Sequence, residues 1–451
     1  MTKQLHIQIP DPAARIIERI QGAGYEAYVV GGCVRDSILG RTPQDWDITT
    51  SATPDRVKAL FPRTVDTGLQ HGTVTVMMDR EGFEVTTYRI DGEYEDSRHP
   101  KEVIFTPNLE EDLRRRDFTI NAMAYNDTEG LVDLYGGIED INAGIIRCVG
   151  EPLERFTEDA LRILRAVRFS AQLGYKIEEK TRNAIRQIAP NLAHISAERI
   201  SAELSKILTS PHPDYLRDAY ELGLTGVFFP EFDAACETMQ NHPHHRYTVG
   251  EHTLHALTRV EPDRSLRLAV LLHDIGKPSV RSVDENGIDH FYDHAAVGAR
   301  MSEEILRRWK FDNDTIRLVT KLVLYHDDGS AAEPTIKNVR RMVAKIGQDA
   351  FPALFRVQRA DILAQSDYQR TEKLERNRRR EELYRQICEE KQCVSVKMLA
   401  VNGKDLQAAG IAPGPRMGEV LQELLNIVLD DPECNTREQL LEIAAGMCDR
   451  R

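Results

Sequence analysis

The spacing of apolar positions along this 451-residue chain divides it into a mixed part and a long helical part. Behind Pro12, residues Ala13, Ile16, Ile17 and Ile20 recur every three or four positions, which predicts an amphipathic helix over 12–23. Tyr28-Val29-Val30 is β-branched and aromatic and predicts a strand. Gly31-Gly32 ends that run, and Val34, Ile38 and Leu39 suit a short helix. Trp46, Ile48, Thr49 and Thr50 suit a second strand. Asp45 and Asp47 would then point to one side of it, roughly 6–7 Å apart at about 3.3 Å per residue. Thr53-Pro54-Asp55 opens a helix through Leu60, with Thr53 as cap and proline at the first helical position. His71–Val76 and Phe83–Tyr88 alternate as strands, and the polar stretch 89–106 reads as a mobile loop. From about residue 150 the period is helical. Thr157 is placed as the N-cap of a helix whose stripe is Ala160, Ile163, Leu164 and Val167. Helices continue through 175–235, and 371–451 reads as a charged helix, a Gly/Pro turn and a helix from Arg416 to Leu429. The pattern predicts a mixed α/β head at 1–150 followed by all-α parts at 151–237, 238–370 and 371–451.

Composition narrows the classes. Hydrophobic residues at 41% suffice for packed cores, and the length suggests two to four units. No apolar run approaches the ~20 residues of a membrane span, and Met-Thr-Lys-Gln-Leu-His lacks a signal-peptide apolar region. Seven cysteines without paired spacing predict a reducing, cytoplasmic setting. Cys388 and Cys393 are the nearest pair and have no second pair to complete a zinc site. A net charge of −13 argues against indiscriminate nucleic-acid binding but leaves room for local basic patches. Arg114-Arg115-Arg116 is one; Arg376 with Arg378-Arg379-Arg380 is another, balanced by Glu375, Glu381 and Glu382. Nothing calls for a membrane or an obligate protein partner.

The candidate chemistry starts at Gly31-Gly32-Cys33-Val34-Arg35-Asp36. A strand, a glycine turn and a helix N-terminus together favour phosphate, through free N–H groups and the helix dipole, and Arg35 adds a cation. Asp45 and Asp47 offer the hard oxygen ligands that Mg²⁺ shares with phosphates. Glu84 is either a third carboxylate for that pair or an exposed strand charge, the second reading being preferred. Arg115 and Arg116 suit phosphate oxygens, and Asp117 and Asn121, at i and i+4, could share a helical face and bind ribose hydroxyls. Further on, Glu158, Arg162 and Arg165 fall at i, i+4 and i+7, with Asp159 beside them. They could simply be helix ion pairs. They could also read a base: cytosine and adenine both present an amino donor beside a ring-nitrogen acceptor, which an Asp acceptor and an Arg donor match. Uracil and guanine would set a carbonyl against the carboxylate.

These motifs, in this order, resemble class II tRNA nucleotidyltransferases: CCA-adding enzymes, A-adding and CC-adding relatives, and bacterial poly(A) polymerases. The resemblance covers nearly the whole chain. It implies a polymerase-β-like head using Mg²⁺ on Asp45 and Asp47, with CTP and ATP as substrates and the tRNA 3′ end as partner. It assigns phosphate and ribose contacts to Gly31, Gly32, Arg35, Arg115, Arg116, Asp117 and Asn121. Asp159 and Arg162 become the base template, oriented by Glu158 and Arg165. Asp133-Leu134-Tyr135-Gly136-Gly137 resembles the next family motif, and Arg199 to Leu208 the last, which shapes the neck. Arg89, Asp91, Asp96, Arg98 and His99 make the 89–106 loop full length, which weighs against a CC-adding enzyme. The implied tail, 371–451, contacts the tRNA.

From residue 240 the chain turns to histidine. His252, His273-Asp274, His294, His326-Asp327 and Asp361 include adjacent imidazole and carboxylate ligands suited to a divalent transition metal such as Zn, Mn, Fe or Ni. This set resembles the HD family of metal phosphohydrolases. It implies one metal on His252, His273, Asp274 and Asp361, and room for a second on His294 and His326. His244, His245 and His255 are read as ordinary polar residues. The expected activity is CCA addition with a possible HD phosphohydrolase. The alternatives are an A-adding enzyme or poly(A) polymerase and, in another class, an HD hydrolase whose head only binds nucleotide.

Overall fold

The computed structural model describes residues 5–91, 103–329 and 333–448, in two units that divide after Pro230. The first begins with helix α1 (Asp11–Gly22), which buries Ala13, Ile16, Ile17 and Ile20 as its spacing predicts. Each fully buried isoleucine contributes about 1.5–3 kcal/mol. Strands β1 (Ala27–Val30), β2 (Ile48–Thr50), β3 (Thr64–Gly68), β4 (Thr73–Met78) and β5 (Glu81–Thr87) follow. Interleaved with them are α2 (Gly32–Ile38) and α3 (Pro54–Leu60). A separate ribbon pairs β6 (Arg89–Asp91) with β7 (Val103–Phe105). Then come α4 (Leu109–Arg114), β8 (Met123–Asn126), β9 (Gly130–Asp133) and α5 (Gly137–Ala143). Seven strands form one sheet in the order β3-β4-β5-β2-β1-β8-β9. All four residues of β1 are buried, as suits a central strand covered on both faces.

Two expectations for this part need correction. Asp45 and Asp47 do not lie within a strand, because β2 starts at Ile48. The Val30 N–H still donates to the Asp47 carbonyl at 3.0 Å, but β1 then ends at the Gly31 turn and residues 45–46 lose their partner. Asp117 and Asn121 do not share an α-helix: α4 stops at Arg114, Phe118 is extended, and Thr119–Asn121 is a single 3₁₀ turn. Of the residues named for the polar loop, Arg89 and Asp91 belong to strand β6 of the ribbon rather than to a loop, and Asp96, Arg98 and His99 lie outside the described residues.

Helices α6 (Pro152–Glu158), α7 (Leu161–Leu173), α8 (Glu179–Ile188) and α9 (Ala197–Leu208) continue the first unit. A two-residue parallel pair, Ile145–Ile146 with Lys176–Ile177, is the small addition to an otherwise helical stretch. The helix expected to start under Thr157 is in fact broken at Asp159 (φ −140°, ψ 102°). Thr157 sits in the last turn of α6, where its hydroxyl donates to the Leu153 carbonyl at 2.7 Å. The cap of α7 is supplied instead by Asp159, whose Oδ1 accepts from Leu161 N at 3.0 Å.

The second unit is mostly helical. Val249–Leu257, Arg264–Leu272, His294–Arg308, Asn313–Tyr325 and Phe351–Ala364 bury Leu268, Leu272, Val319, Leu322, Leu354 and Val357. A short hairpin pairs Ser282–Val283 with Asp289–His290. The helices Gly403–Ala408, Pro415–Asp430 and Arg437–Cys448 close over a core of their own that includes Leu406, Val420, Leu424, Val428 and Leu440. Among the described residues no helix is long and apolar enough to cross a membrane.

Candidate functional site

The turn after β1 fixes the geometry of the head. Gly31 has φ +83°, and a Cβ there would meet Arg116 Nη1 at 3.0 Å. The positive φ favours glycine, and a Cβ would press on the end of the Arg116 side chain. The turn thereby brings a guanidinium close to bare backbone at the start of α2. Arg35 is 8% exposed and lies near Gly32; its Nη1 donates to Asn121 Oδ1 at 2.6 Å and its Nε to Asp36 Oδ1 at 2.9 Å. Arg115 holds Asp112 through Nε and Nη2 at 2.9 and 2.8 Å, and Arg116 reaches the other oxygen of Asp112 at 3.4 Å. Asp112 is buried; burial would raise its carboxyl, but the two arginines hold it below the ordinary value.

Asp45 and Asp47 are exposed. The protein mass around Asp47 raises its carboxyl; Arg116 opposes this, and Glu84 and Asp45 add to it. The register explains Glu84. β2 and β5 are parallel with Ile48 opposite Val85, so Asp47 and Glu84 occupy neighbouring positions on one face. Glu84 is thus both exposed and beside the aspartate pair, where the sequence reading preferred exposure alone.

Beside these acids lies a partly buried ion-pair network. Asp117 Oδ2 accepts from Arg165 Nε at 2.8 Å, and its Oδ1 accepts from Phe118 N at 2.9 Å and Asn121 Nδ2 at 3.4 Å. Burial would raise Asp117, yet Arg165, Arg162 and Asn121 pull it to about 2. Arg162 Nη1 donates to Glu158 Oε2 at 2.8 Å and to the Arg155 carbonyl at 3.0 Å; its Nη2 reaches the Arg115 carbonyl at 3.2 Å. Arg199, from α9, donates to Asp159 Oδ2 at 2.8 Å. Arg35, Arg165 and Arg168 lie at 5.2, 5.4 and 3.9 Å from the Phe169 ring centre, a buried aromatic core for the cluster. Sequence spacing found Glu158 with Arg162 but not Asp117 with Arg165 or Asp159 with Arg199, which join residues 48 and 40 positions apart.

Six histidines of the second unit line one cavity of about 520 Å³, with His252 and His273 in contact with its Asp361 and Asp274. His252 comes from the helix Val249–Leu257, His273 and Asp274 follow Arg264–Leu272, His294 opens its helix, His326 follows Asn313–Tyr325, and Asp361 lies within Phe351–Ala364. Two ligand triads form, His252–His273–Asp274 and Asp274–His294–His326, sharing Asp274. Asp361 Oδ1 joins the first, 2.9 Å from His252 Nε2. His273, His294 and His326 turn Nδ1 to the carbonyls of Val270, Phe291 and Val323 at 2.7, 2.8 and 2.7 Å. With Nδ1–H assigned to those carbonyls, the Nε2 atoms face inward. His252 and His273 Nε2 are then 3.3 Å apart, and His294 and His326 Nε2 3.2 Å. Ring nitrogens this close need a proton or a cation between them, so the donor set fits metal ions. Burial alone would lower His273, but Asp274 and Asp361 raise it to about 10.

Cations line the same cavity. Lys277 Nζ lies 2.7 Å from Asp274 Oδ2 and 2.8 Å from Gln240 Oε1. Lys373 Nζ is 3.0 Å from His244 Nδ1 and bonds Gln365, which donates to both oxygens of Asp361. The basic stretch 376–380 divides. Arg378 and Arg379 pair with Glu375 and Glu382 on the surface, while Arg376 and Arg380 face the cavity. His242, His244 and His245 also line it, whereas His255 packs at a tilt of 32° against Tyr247 with ring centres 4.3 Å apart. The lining roles of His242, His244, His245 and Lys373 escaped the sequence reading, since nothing in their spacing connects them to Asp361.

Comparison with known proteins adds an independent line. The family model described as the poly A polymerase head domain matches residues 27–147. That of a probable RNA and SrmB-binding site of polymerase A matches 174–236. A tRNA nucleotidyltransferase domain 2 model matches 288–444. The chain is 36% identical over 447 residues to the CCA-adding enzyme of Lactiplantibacillus plantarum, covering 97% of both. The chain belongs to the class II tRNA nucleotidyltransferases. A second member of the family, the CCA-adding enzyme of Enterococcus faecalis, is 53% identical over 196 residues, 44% of this chain and 48% of that protein. The crystal structure of the Bacillus stearothermophilus CCA-adding enzyme in complex with CTP superposes with a TM-score of 0.74 at 31% identity, covering 98% of each chain. As a tRNA nucleotidyltransferase the protein is an enzyme, with the mixed α/β head and mostly helical remainder of that family.

Proposed function

We propose that the chain adds CCA to the 3′ end of tRNA without a nucleic-acid template, using CTP and then ATP. The observation that carries this reading is the break at Asp159. It sets a carboxylate and the Arg162 guanidinium one turn apart, each held by a second residue, Arg199 and Glu158 respectively. That pair matches the amino-plus-ring-nitrogen edge shared by cytosine and adenine and opposes the carbonyl of uracil and guanine. Arg165 keeps Asp117 in place, and Asp117 with Asn121 supplies acceptors and a donor for ribose hydroxyls. Gly31, Gly32, Arg115 and Arg116 receive the triphosphate, and Arg35 braces Asn121 behind it.

Asp45 and Asp47 hold Mg²⁺ in this reading, with Glu84 alongside. The ion, when bound, lowers the pKa of the tRNA 3′-hydroxyl and neutralises charge developing on phosphate. The hydroxyl oxygen bonds to the α-phosphorus, the bond to the bridging oxygen breaks, and pyrophosphate leaves. Arg116, beside the Gly31 turn and coupled to Asp47, is placed to meet the departing charge.

The parts at 1–150, 151–237, 238–370 and 371–451 act as nucleotidyltransferase head, base-selecting neck, HD metal domain and tRNA-binding tail, in a cytoplasmic enzyme. The HD cavity is a second, phosphohydrolase site. His252, His273, Asp274 and Asp361 hold one divalent transition metal, and Asp274, His294 and His326 hold another. Such ions, when bound, activate water and polarise phosphate. The facing imidazoles support this over a purely structural cluster.

The deciding test supplies tRNA transcripts ending at the discriminator base or after CC with labelled CTP and ATP, separately and together. The expected result is growth by C, C and A, then a stop. A single A added only to the CC-ended transcript would replace this reading with an A-adding enzyme. A long A ladder would replace it with a poly(A) polymerase.

A further inference from the structure

Arg115 and Arg116 meet on one carboxylate, Asp112, which lies in α4 and is fully buried. Its Oδ1 accepts from Arg115 Nε and Nη2 at 2.9 and 2.8 Å. Its Oδ2 accepts from the Thr49 hydroxyl at 3.0 Å and from Arg116 Nη2 at 3.4 Å. A carboxylate has about four lone-pair sites, so these donors fill it. Thr49 is a buried residue of β2, two positions after Asp47. The carboxylate is therefore clamped from its own helix and from the strand that follows the proposed Mg²⁺ ligands. Burial would raise the Asp112 carboxyl, but the arginines beside it hold it below the ordinary value, so the anchor is ionised at neutral pH.

Arg116 is the group that this anchor presents. Its Nη2 is bonded to Asp112, while its Nη1 lies 3.0 Å from where a Cβ of Gly31 would stand. Its Nε is buried and has no hydrogen-bond partner among the described residues. A guanidinium is planar and rigid, so a bond at one end sets the direction of the other. The same group lowers the carboxyl of Asp47 by its charge, which places it towards the reacting face. We infer that Asp112 is a positioning residue for nucleotidyl transfer: clamped by Thr49 and Arg115, it holds Arg116 at the Gly31 turn, where pyrophosphate departs. The inference rests on the reading of Arg116 as the cation that meets the leaving charge, and adds what aims it.

The test uses the full chain with Mg²⁺, a tRNA transcript ending at the discriminator base, and CTP or its β,γ-methylene and β,γ-difluoromethylene analogues. Fluorine makes the departing group more acidic, so the ratio of single-turnover rates for the two analogues reports how strongly the protein stabilises leaving charge. Asp112→Asn keeps the size of the side chain and removes its charge. The rate with CTP should fall about 10²-fold, with KM within about threefold of wild type. The difluoromethylene-to-methylene rate ratio should rise about tenfold, as it should in Arg116→Ala. A lesion of the fold would lower the reacting fraction and leave that ratio unchanged. The double variant should lose little more than Arg116→Ala alone, because Asp112 acts through that residue. A ratio raised in Arg116→Ala but not in Asp112→Asn, or additive losses in the double variant, would overturn the inference. Thr49→Val loosens the clamp more gently and decides the matter if Asp112→Asn does not fold. It should slow addition about threefold alone and have no further effect beside Arg116→Ala, and additivity there would also overturn the inference. An unchanged ratio in Arg116→Ala, with non-additive losses, would instead sink the leaving-charge reading of Arg116 and leave its positioning by Asp112 standing.

Discussion

The head site and the histidine cavity distribute charge in opposite ways. In the head Asp45 and Asp47, the acids proposed to hold Mg²⁺, are exposed, and the nearby cations are bonded: Arg35, buried, to Asn121, and the half-buried Arg165 and Arg162 to Asp117 and Glu158. In the cavity the acid and imidazoles are buried, with Asp274 at 2% and His252 and His273 at 1% exposure, and their Nε2 atoms face one another. In the head Asp112, Asp117 and Asp159 are each held by an arginine, so that part of the geometry exists before a ligand arrives. The cavity sets imidazole nitrogens and carboxylates at distances that a proton or a metal ion must bridge. Substitutions in the head should therefore act on catalysis and selection, whereas the cavity should link metal to folding.

The largest effect tests the head. Asp45→Ala or Asp47→Ala should cut nucleotide addition about 10³-fold or more, because each removes a ligand on which transition-state charge depends. Far-ultraviolet circular dichroism should not change, since both side chains are exposed. Substantial residual addition would dissolve the contrast drawn above. Next in size is the cavity. Chelation should lower the thermal midpoint of the second unit and Mn²⁺ or Ni²⁺ should restore it, by about 2.7 kcal/mol at a metal concentration one hundred times Kd. His326→Ala should shrink that shift, and a midpoint indifferent to chelator would mean that the cluster is stable without an ion.

A smaller effect separates the head's internal network from its reacting acids. Asp117 titrates near 2 in the fold against an ordinary 3.8, so its ionised form stabilises the fold fully above 3.8. That contribution is lost as the pH falls from 3.8 towards 2, and it amounts to about 2 kcal/mol. Asp117→Asn should flatten the acid limb of unfolding by that much relative to wild type; parallel acid limbs would mean that Arg165 does not hold this charge. The smallest effect is on selection. Arg199→Ala frees one oxygen of Asp159. Misincorporation of U should rise about tenfold with CTP turnover reduced only a few-fold, read from extension products with each nucleotide supplied alone. Unchanged selectivity would make Arg199 a brace for the neck alone.

What the sequence made legible follows the reach of its periodicities. The α1 helix, β1, the glycine turn and the helix from Pro415 to Asp430 were readable because each is governed by neighbours within four residues. The break at Asp159 was not. The stripe Ala160, Ile163, Leu164 and Val167 suits one continuous helix, and what interrupts it is a carboxylate that caps Leu161 while bonding an arginine 40 residues away. Likewise β2 begins late because its partner β1 turns away at Gly31, a fact about pairing that lies outside the run Trp46–Thr50. Metal-type residues could be named from their identities, but Lys373, His244 and Tyr292 become visible only when helices distant in sequence close around one cavity.

The close approaches at two glycines bear on how this gene can vary. A Cβ at Gly31 would meet Arg116 Nη1 at 3.0 Å, and one at Gly137 would stand 2.6 Å from the Thr119 carbonyl oxygen. Every single-nucleotide change in a glycine codon that alters the residue installs a Cβ, so neither position has an unstrained neighbour one mutational step away. The obstacle at Gly31 is a long side chain, which a compensating change at residue 116 could clear, but that arginine also faces Asp47. The obstacle at Gly137 is backbone, which no codon encodes differently. Drift around the nucleotide site is therefore channelled into the residues between these two fixed points.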